Sequence, residues 1–369
     1  MLNHCIHGGK LYQFIGDDFR GLSNIYSTVA ADVLDAWYPP SPNVLSKLQE
    51  NLSWGSRTSP PLVANGLRRA IAETFVIPED QIVMGNGSSD LIFRLLPSIF
   101  LSHHPVIIPA PSYGEYAHVL SDLCGKKIFH FPTYETAFQL DVDALIELFE
   151  AARFGGLVLV NPCNPTGQYL KREELIAILD AVDNRFPVLI DETYFAYLPR
   201  ECSMESEINE YENLYIFRSL SKIYGLSGMR IGYALVPAKM SNYYRARTPP
   251  YTVATLSQVA AIEALKDDAY TRSMIAETRM RRNNLHKDLL RFDQLTIIGS
   301  EINSLLVDLE NADVSADIFV HAMAKKGVLV RNISSQGNRY PDRFVRISVM
   351  DYDDNLRIVQ AIREVLGER

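Results

Sequence analysis

Between about residues 80 and 240, short apolar segments alternate with segments whose apolar residues recur at helical spacing. The apolar segments are continuous, and this pattern is typical of strands buried on both faces of a parallel sheet. The alternation predicts one large α/β domain in which helices cover both faces of a mainly parallel sheet. The predicted strands cover residues 81–84, 106–108, 127–129, 157–160, 188–190, 214–217 and 231–234.

The sequence pattern changes on both sides of this region. The first 45 residues contain no strand–helix unit, and we expect them to form an arm that packs elsewhere on the molecule. From about residue 250, a long helical pattern that runs from about Thr255 past His286 precedes strands at 304–307, 328–330 and 345–347, a helix at 316–325 and a closing helix. We therefore predict an N-terminal arm (1–45), a large domain (46–245) and a smaller α+β domain (246–369).

Composition disfavours several classes of function. A formal net charge of -8 without a long basic run argues against nucleic acid or an anionic membrane as a partner. No apolar stretch approaches the roughly 18 residues of a membrane span, and the N-terminus lacks a signal-peptide pattern, so we expect a cytoplasmic location. The cysteines are far apart and no His-Glu-x-x-His motif occurs, so we expect reduced thiols and no metal site.

The segment around Lys222 says most about function. Ser219 and Ser221 precede this lysine, and Arg230 follows it among glycines. Hydroxyl groups and a guanidinium group are phosphate ligands, and a lysine held among them could form an imine. The combination suggests a covalently held, phosphorylated aldehyde cofactor, which is pyridoxal phosphate.

Polar residues follow several predicted strands, at the sheet edge where ligands bind in α/β folds. After the first strand, a turn with two glycines leads through Ser88 and Ser89 into a helix, whose N-terminus could bind an anion or could form an ordinary capped turn. Tyr113 follows the second strand and could stack on a flat ring, although a lone tyrosine is often a packing residue. Asn164 lies in a turn that two prolines stiffen.

Asp191 ends the predicted strand at 188–190, and Tyr194 follows it closely. A carboxylate at the end of a buried strand is costly unless it is paired. A protonated pyridine nitrogen would be a suitable partner, and the pairing would keep that ring an electron sink. Alternatively, Asp191 caps the following helix, while Glu192 and Tyr194 face solvent.

The Asn-Pro-Thr-Gly turn at 164–167 and the Ser-x-Ser-Lys motif at 219–222 together resemble those of fold-type I pyridoxal-phosphate enzymes. Within that group, the chain is similar to the histidinol-phosphate aminotransferases of class I/II from about Leu34 to the C-terminus. The resemblance implies a large α/β domain and a smaller C-terminal domain, with pyridoxal 5′-phosphate as cofactor. It also implies a homodimer whose active site lies between the subunits.

The resemblance gives each matching residue an implied role. Lys222 bonds to the cofactor aldehyde and then shuttles the proton, and Asp191 pairs with the pyridine nitrogen. Asn164 and Tyr194 hydrogen-bond the ring hydroxyl, and Tyr113 stacks on the ring. The implied ligands of the cofactor phosphate are Ser88, Ser89, Ser219, Ser221 and Arg230.

On the substrate side, the resemblance implies two arginines, which without it would be interpreted as strand-edge residues facing solvent. Arg346 matches the arginine that clamps the substrate carboxylate, and Arg331 matches one that helps bind a distal phosphate in phospho-substrate members. The chain departs from the family at 34–39, where it replaces the usual Asn-Glu-Asn-Pro-Tyr-Gly segment. Tyr38 keeps register there and is a candidate substrate ligand.

Two further positions are candidates by resemblance. His7, Gly8 and Gly9 resemble the segment that opens threonine-phosphate decarboxylases and lies over the active site near the substrate phosphate. His7 is therefore a candidate substrate ligand, although these three residues could equally have no role. Arg57 stands near the place of a tyrosine that the other subunit usually contributes to the cofactor phosphate, and it could substitute for that tyrosine.

The expected function is ping-pong transamination between an amino donor and an oxo-acid acceptor. The donor is expected to be a small amino acid or amine with a second anionic group, a phosphate or phosphonate. Decarboxylation of a phosphorylated amino acid is the alternative, because the motifs do not reveal which bond of the substrate is oriented for cleavage. A non-catalytic effector module of a transcription regulator is disfavoured, since no helix-turn-helix segment is apparent.

Overall fold

The computed structural model of the protein describes residues 8–334 and 341–367. The helices are α1 (Leu11–Ile15), α2 (Pro42–Arg57), α3 (Asn65–Phe75), α4 (Gly87–Ile99), α5 (Gly114–Ala117), α6 (Val142–Ala151), α7 (Arg172–Val182), α8 (Ala238–Ala246), α9 (Thr255–Lys266), α10 (Asp268–Leu289), α11 (Ala316–Lys325) and α12 (Tyr352–Leu366).

The strands form a seven-stranded sheet, a four-stranded sheet and a separate two-stranded pair. They are β1 (Val29–Ala30), β2 (Ile82–Gly85), β3 (Val106–Ala110), β4 (Ile128–Pro132), β5 (Gly156–Val160), β6 (Val188–Asp191), β7 (Leu214–Ser219), β8 (Gly232–Leu235), β9 (Thr296–Ile298), β10 (Ser304–Asp308), β11 (Val328–Leu329), β12 (Arg331–Asn332) and β13 (Phe344–Ser348).

The large sheet has the order β2-β8-β7-β6-β5-β3-β4. Five of its strands, β3 to β7, run parallel, and β8 is antiparallel to both of its neighbours. Successive strand residues point into two separate cores: Leu157 packs with α6 and α7 on one face, whereas Val158 packs with α4 on the other. Because both faces of the sheet are buried, the sequences of these strands are continuously apolar. The predicted α/β class with a mainly parallel sheet is confirmed.

The small sheet has the order β12-β13-β10-β9 and is antiparallel throughout. One of its faces packs on α11, α12 and the end of α10 through residues such as Phe319, Ile358 and Leu285. The predicted arm contributes here, because β1 runs parallel to β11 with Val29 opposite Val328. This two-residue strand is too short to produce a sequence pattern, and the prediction missed it.

Two predicted elements differ from the structure. The helix expected from about Thr255 past His286 is two helices, because Asp267 has non-helical backbone angles and its carboxylate caps α10 by accepting the N–H of Tyr270. The predicted strand at 328–330 is the shorter β11, which pairs with β1, and β12 follows it as a separate strand that pairs with β13. Helix α9 packs in the core under the large sheet, and the predicted domain division near residue 245 stays a prediction.

Within the described ranges, the helices are all too short or too polar to cross a membrane. Those residues also contain no cluster of three or more histidine, cysteine or acidic side chains that could hold a metal ion.

A buried ion cluster braces the strand ends where the site forms. The Arg218 guanidinium donates to Glu192 at 2.7 and 2.9 Å and lies 2.8 Å from the carboxylate of Glu205. It also stacks over the rings of Phe75 and Phe195, with its central carbon 5.2 and 4.8 Å from their centroids. Glu192 is therefore buried, which rules out the alternative in which it faces solvent.

We predict that Arg218→Met lowers the free energy of unfolding by about 3–5 kcal/mol, because it leaves the buried Glu192 carboxylate without its cation. Urea unfolding followed by circular dichroism measures the change. Arg272→Met is the matched control, since Arg272 and its partner Asp268 are both exposed, and its effect should stay within about 0.5 kcal/mol. Equal stability of the Arg218 variant and the wild type would contradict the prediction.

Candidate active site

A polar cavity opens at the carboxyl ends of β5, β6 and β7, where it meets residues 32–35 and the paired strands β12 and β13. Most of the predicted site residues line it. The lining residues are Gly8, Asp32, Val33, Leu34, Asp35, Ser88, Ser89, Tyr113, Gly114, Val160, Asn164, Asp191, Thr193, Tyr194, Ser219, Ser221, Lys222, Arg230, Arg331 and Arg346.

One end of the cavity is an anion cradle at the N-terminus of α4. Gly87 begins this helix with a φ of +82°, and a Cβ there would lie 2.4 Å from the Arg230 guanidinium. Gly232 allows a similarly close approach to the main chain of Ser88, where a Cβ would lie 2.8 Å from the Ser88 nitrogen. The first N–H groups of α4, the helix dipole and Arg230 can thus act on one anion. Ser88, Ser89, Ser219 and Ser221 line the same cavity.

Asp191 is buried at the floor of the cavity, with 3% of its surface exposed. One oxygen accepts the Tyr116 hydroxyl at 2.7 Å, and the other accepts the Thr193 N–H at 2.8 Å. Burial raises the pKa of the Asp191 carboxyl, while hydrogen bonds from Thr193 and Tyr116 oppose the rise. Both donors are uncharged, so a cation placed beside Asp191 would stabilise its charged form.

Asn164 and Tyr194 lie between Asp191 and the small sheet. The Asn164 side-chain oxygen accepts a hydrogen bond from Arg346 at 2.7 Å. Tyr194 is buried and interacts with Asn164, and burial raises the pKa of its hydroxyl. The structure brings together Asn164, Tyr194 and Asp191 as predicted and excludes a solvent-facing Tyr194. Tyr113 lines the wall beside them, with its ring edge-to-face on Tyr116.

Lys222 projects into the cavity with 19% of its side chain exposed. Burial lowers the pKa of the Lys222 amine, and Arg346 and Arg230 lower it further, whereas Asp35 opposes the shift. The Nζ atom lies 3.3 Å from a carboxylate oxygen of Asp35. A lysine with a lowered pKa more readily presents the neutral amine that attacks a carbonyl group or accepts a proton.

Arg331 and Arg346 occupy the wall opposite the large sheet. They are cross-strand partners in the register of β12 and β13, and they are 6% and 5% exposed. Burial, with Arg331 nearby, lowers the pKa of Arg346 to about 10. The interpretation of these residues as solvent-facing is therefore wrong. Residues directly opposite each other on adjacent antiparallel strands lie on the same face, so both side chains line the cavity.

Two predicted substrate residues are not seen in the cavity wall. Tyr38 is buried beside it, and its hydroxyl donates to the Ile223 carbonyl at 2.8 Å, so the structure gives no support for substrate binding there. His7 lies outside the described residues. The next residue, Gly8, does line the cavity.

Four residues of the site were not predicted. Tyr116 and Thr193 donate hydrogen bonds to Asp191. Tyr116 lies three residues after Tyr113 and Thr193 two residues after Asp191, and this closeness in the sequence was the only indication of their role. Asp32 accepts the N–H groups of Gly9 and Lys10, at 2.8 and 3.0 Å, and thereby fixes the N-terminal segment. Asp35 contacts Lys222 across a sequence separation of 187 residues, a contact that no local pattern reveals.

The chemistry of these donors fits pyridoxal 5′-phosphate. The α4 cradle with Arg230 suits its phosphate, and the buried Asp191 carboxylate, which lacks a charged partner in the hydrogen bonds that hold it, suits its protonated ring nitrogen. Asn164 and Tyr194 line the same cavity, and their amide and hydroxyl groups would suit the ring hydroxyl of the cofactor. Lys222 provides an amine in the same cavity.

Comparisons with known proteins agree with this assignment. A family model described as aminotransferase class I and II matches residues 32–362. A histidinol-phosphate aminotransferase from Symbiobacterium thermophilum is 32% identical over 332 residues, which cover 89% of this chain and 88% of that protein. A histidinol-phosphate aminotransferase from Methanococcus maripaludis is 28% identical over 327 residues, which cover 88% of this chain and 86% of that protein.

Solved structures share the fold. The histidinol-phosphate aminotransferase of Sinorhizobium meliloti in complex with pyridoxal-5′-phosphate has a TM-score of 0.80 at 21% identity, covering 91% of this chain and 89% of that one. The L-threonine-O-3-phosphate decarboxylase of Porphyromonas gingivalis has a TM-score of 0.77 at 22% identity, covering 89% and 97%. The predicted fold-type I architecture is confirmed.

We predict that Asp191→Asn raises the melting temperature of the cofactor-free protein at pH 8. Because the pKa of Asp191 is raised in the folded state, its ionised form costs stability above that pKa. The gain should shrink as the pH falls toward the ordinary value of about 4. Thermal unfolding at pH 8 and pH 5 measures the difference between variant and wild type.

The control is Asp180→Asn, since Asp180 accepts a tyrosine hydroxyl at the same distance of 2.7 Å but on an exposed surface. This variant should melt like the wild type at both pH values. An Asp191 variant that is less stable than the wild type at pH 8 would refute the prediction.

Proposed function

Since the chain belongs to the family of class I and II aminotransferases, we propose that its amino donor carries a second anionic group, a phosphate or a phosphonate. The protein is a pyridoxal-phosphate-dependent transaminase, which acts on an amino donor and an oxo-acid acceptor. The chemical class of the donor is the part of this proposal that family membership does not establish.

The observation that carries this proposal is the pairing of Arg331 with Arg346. Like charges placed directly opposite each other on adjacent strands repel, and burial strengthens the repulsion. Both arginines line the cavity that contains Lys222. Two buried guanidinium groups in one wall are suited to hold two anionic groups of a substrate, a carboxylate and a second anion.

The relatives point to the same chemistry. Those with 28% and 32% identity are named for histidinol phosphate, which supports a phosphorylated donor for this chain. The proposal stays at the level of the donor class, because residues 34–39 replace the family segment and Tyr38 does not line the cavity.

The residues of the cavity have separate roles in the proposed reaction. When bound, the cofactor supplies an aldehyde that bonds to amines and a protonated ring that withdraws electrons from the donor carbon. Asp191 holds the charge of that ring, and Asn164 and Tyr194 fix its orientation. Arg346 would orient the donor, and the Nζ atom of Lys222 would accept the proton of the donor carbon and return it on the other side of the donor nitrogen, to the carbon that carried the cofactor's aldehyde. Donor and acceptor react in turn at the same site, so ping-pong kinetics follow.

We also propose a homodimer. Exposed apolar side chains gather where the loop after α2 meets the segment before α9: the Leu62 carbonyl accepts the N–H of Tyr251, and both side chains are more than half exposed. Trp54 on α2 is also half exposed. A second copy of the chain would cover such a surface. Arg57, which ends α2, is the residue we propose to reach the partner's cofactor phosphate.

We predict that the purified wild type shows a visible absorbance band from cofactor bonded to Lys222, and that borohydride reduction fixes the cofactor on the peptide containing this lysine. Lys222→Ala should lose the band and about 10²–10⁴-fold of kcat, because the amine that moves the proton is gone. Lys239→Ala, in an exposed ion pair with Glu212, should match the wild type. Identical spectra of wild type and Lys222→Ala would disprove the cofactor assignment.

We predict that Arg331→Gln raises the KM of a phospho-amino acid donor about ten- to a hundredfold while leaving the KM of its unphosphorylated parent within about twofold. Arg346→Gln should raise both, because it removes the contact to the shared carboxylate. Steady-state kinetics with the two donors measure the split. Equal effects of Arg331→Gln on both donors would overturn the assignment of the second anion. Carbon dioxide release without conversion of the oxo acid would favour decarboxylation.

A further inference from the structure

We propose that Asp35 is the positioning residue for the amino group of the donor, and that its carboxylate binds this ammonium group and the Lys222 amine in alternation. The inference rests on the aminotransferase function and deepens it, since it concerns the amino group of the donor and not its anionic end.

The observation behind this inference is the contact of Asp35 with Lys222. The carboxylate lies 3.3 Å from Nζ, close enough for a charge-assisted hydrogen bond. The side chain of Asp35 is 53% exposed and lines the cavity. It also interacts with Ser227, and its two oxygens have room for a further donor. The Lys222 side chain is less accessible, at 19% exposed.

The main chain around Asp35 is held rigidly. The side chain of Asn303 donates to the carbonyls of Leu34 and Asp35, at 3.3 and 3.4 Å. Three residues before Asp35, the Asp32 carbonyl accepts a hydrogen bond from Arg346 at 2.8 Å. These contacts hold the backbone of the segment against the small sheet and do not involve the Asp35 side chain, which lines the cavity.

The charges around Asp35 favour its ionised form. Partial burial disfavours the charged carboxylate, but Lys222, Ser227 and Arg230 outweigh it and lower the pKa of Asp35. Lys222 also faces Arg346 and Arg230, and Tyr194 lies near enough to interact with Asp35. Asp35 is thus a permanent anion among cations, which suits it to hold an ammonium group and not to act as a base.

Amine exchange brings the donor to the same place as the lysine. In transamination, the donor nitrogen replaces Nζ of Lys222 at one reactive carbon, so the two nitrogens occupy neighbouring positions in turn. A carboxylate within reach of Nζ is therefore within reach of the donor ammonium group. The oxo-acid acceptor carries no amino group, so Asp35 should affect the two half-reactions unequally.

The test is Asp35→Asn in the complete enzyme, with each half-reaction measured separately by stopped-flow absorbance. We expect the donor concentration for half-maximal rate to rise about tenfold or more, because a charge-assisted contact is replaced by a neutral one. The corresponding value for the oxo acid should stay within twofold. Asp35→Glu keeps the charge and should recover most of the donor effect. Equal changes in both half-reactions, or none, would overturn the inference.

A second readout does not depend on catalysis. In the full chain freed of cofactor, reductive methylation of Lys222 is followed by mass spectrometry across pH, since only the neutral amine reacts. Asp35 raises the pKa of Lys222, so Asp35→Asn should move the labelling midpoint down by about one pH unit. Asp18→Asn is the control, because Asp18 pairs with Arg20 on the surface, and it should leave the midpoint unchanged.

The two measurements separate the possible failures. An unchanged midpoint in Asp35→Asn would refute the pairing of Asp35 with Lys222. If the wild type carries out neither half-reaction but Asp35→Asn still shifts the labelling midpoint, the proposed function is refuted while the pairing stands.

Discussion

The carboxylate of Asp191 is buried at the end of a strand, and the arrangement of the site follows from the groups that stabilise its negative charge. Its hydrogen bonds come from Tyr116 and the main chain of Thr193, which are uncharged and leave the stabilisation to a cation. The protonated ring of pyridoxal phosphate meets that need. The neighbouring strands then supply the remaining contacts at the same sheet edge: Asn164 follows β5, and Lys222 follows β7.

The opposite wall of the cavity carries two buried positive charges. Arg331 and Arg346 face each other in strand register and are buried, and the Asp32 carbonyl and Asn164 satisfy only part of the hydrogen-bonding capacity of Arg346. Burying two cations together costs free energy that bound anions offset. A floor carboxylate held by uncharged donors, opposite two buried guanidinium groups, suits a site that a cofactor and an anionic substrate complete.

The sequence predicted the large sheet well because each strand is buried on both faces, so a single local property, a continuous apolar run, identifies it. The residues predicted to bind the cofactor line one cavity, since strand ends converge in a parallel sheet. Other features depend on partners distant in the chain. The two-residue strand β1 exists because β11 lies beside it, and the inward direction of Arg331 depends on β13. The break at Asp267 was readable as a cap but was hidden inside a long helical pattern.

The N-terminal segment shows why cofactor and substrate sites can change independently. The residues proposed to bind the cofactor follow strands whose side chains fill two cores, so a change of register there would disturb both. Residues 33–35 are instead held through their backbone, where Ser348 donates to the Val33 carbonyl and Asn303 to that of Leu34. Backbone contacts tolerate many side chains. A chain can therefore place a carboxylate at position 35, within reach of Lys222, without altering the sheet, and the replaced segment at 34–39 is where a distinct donor preference would arise.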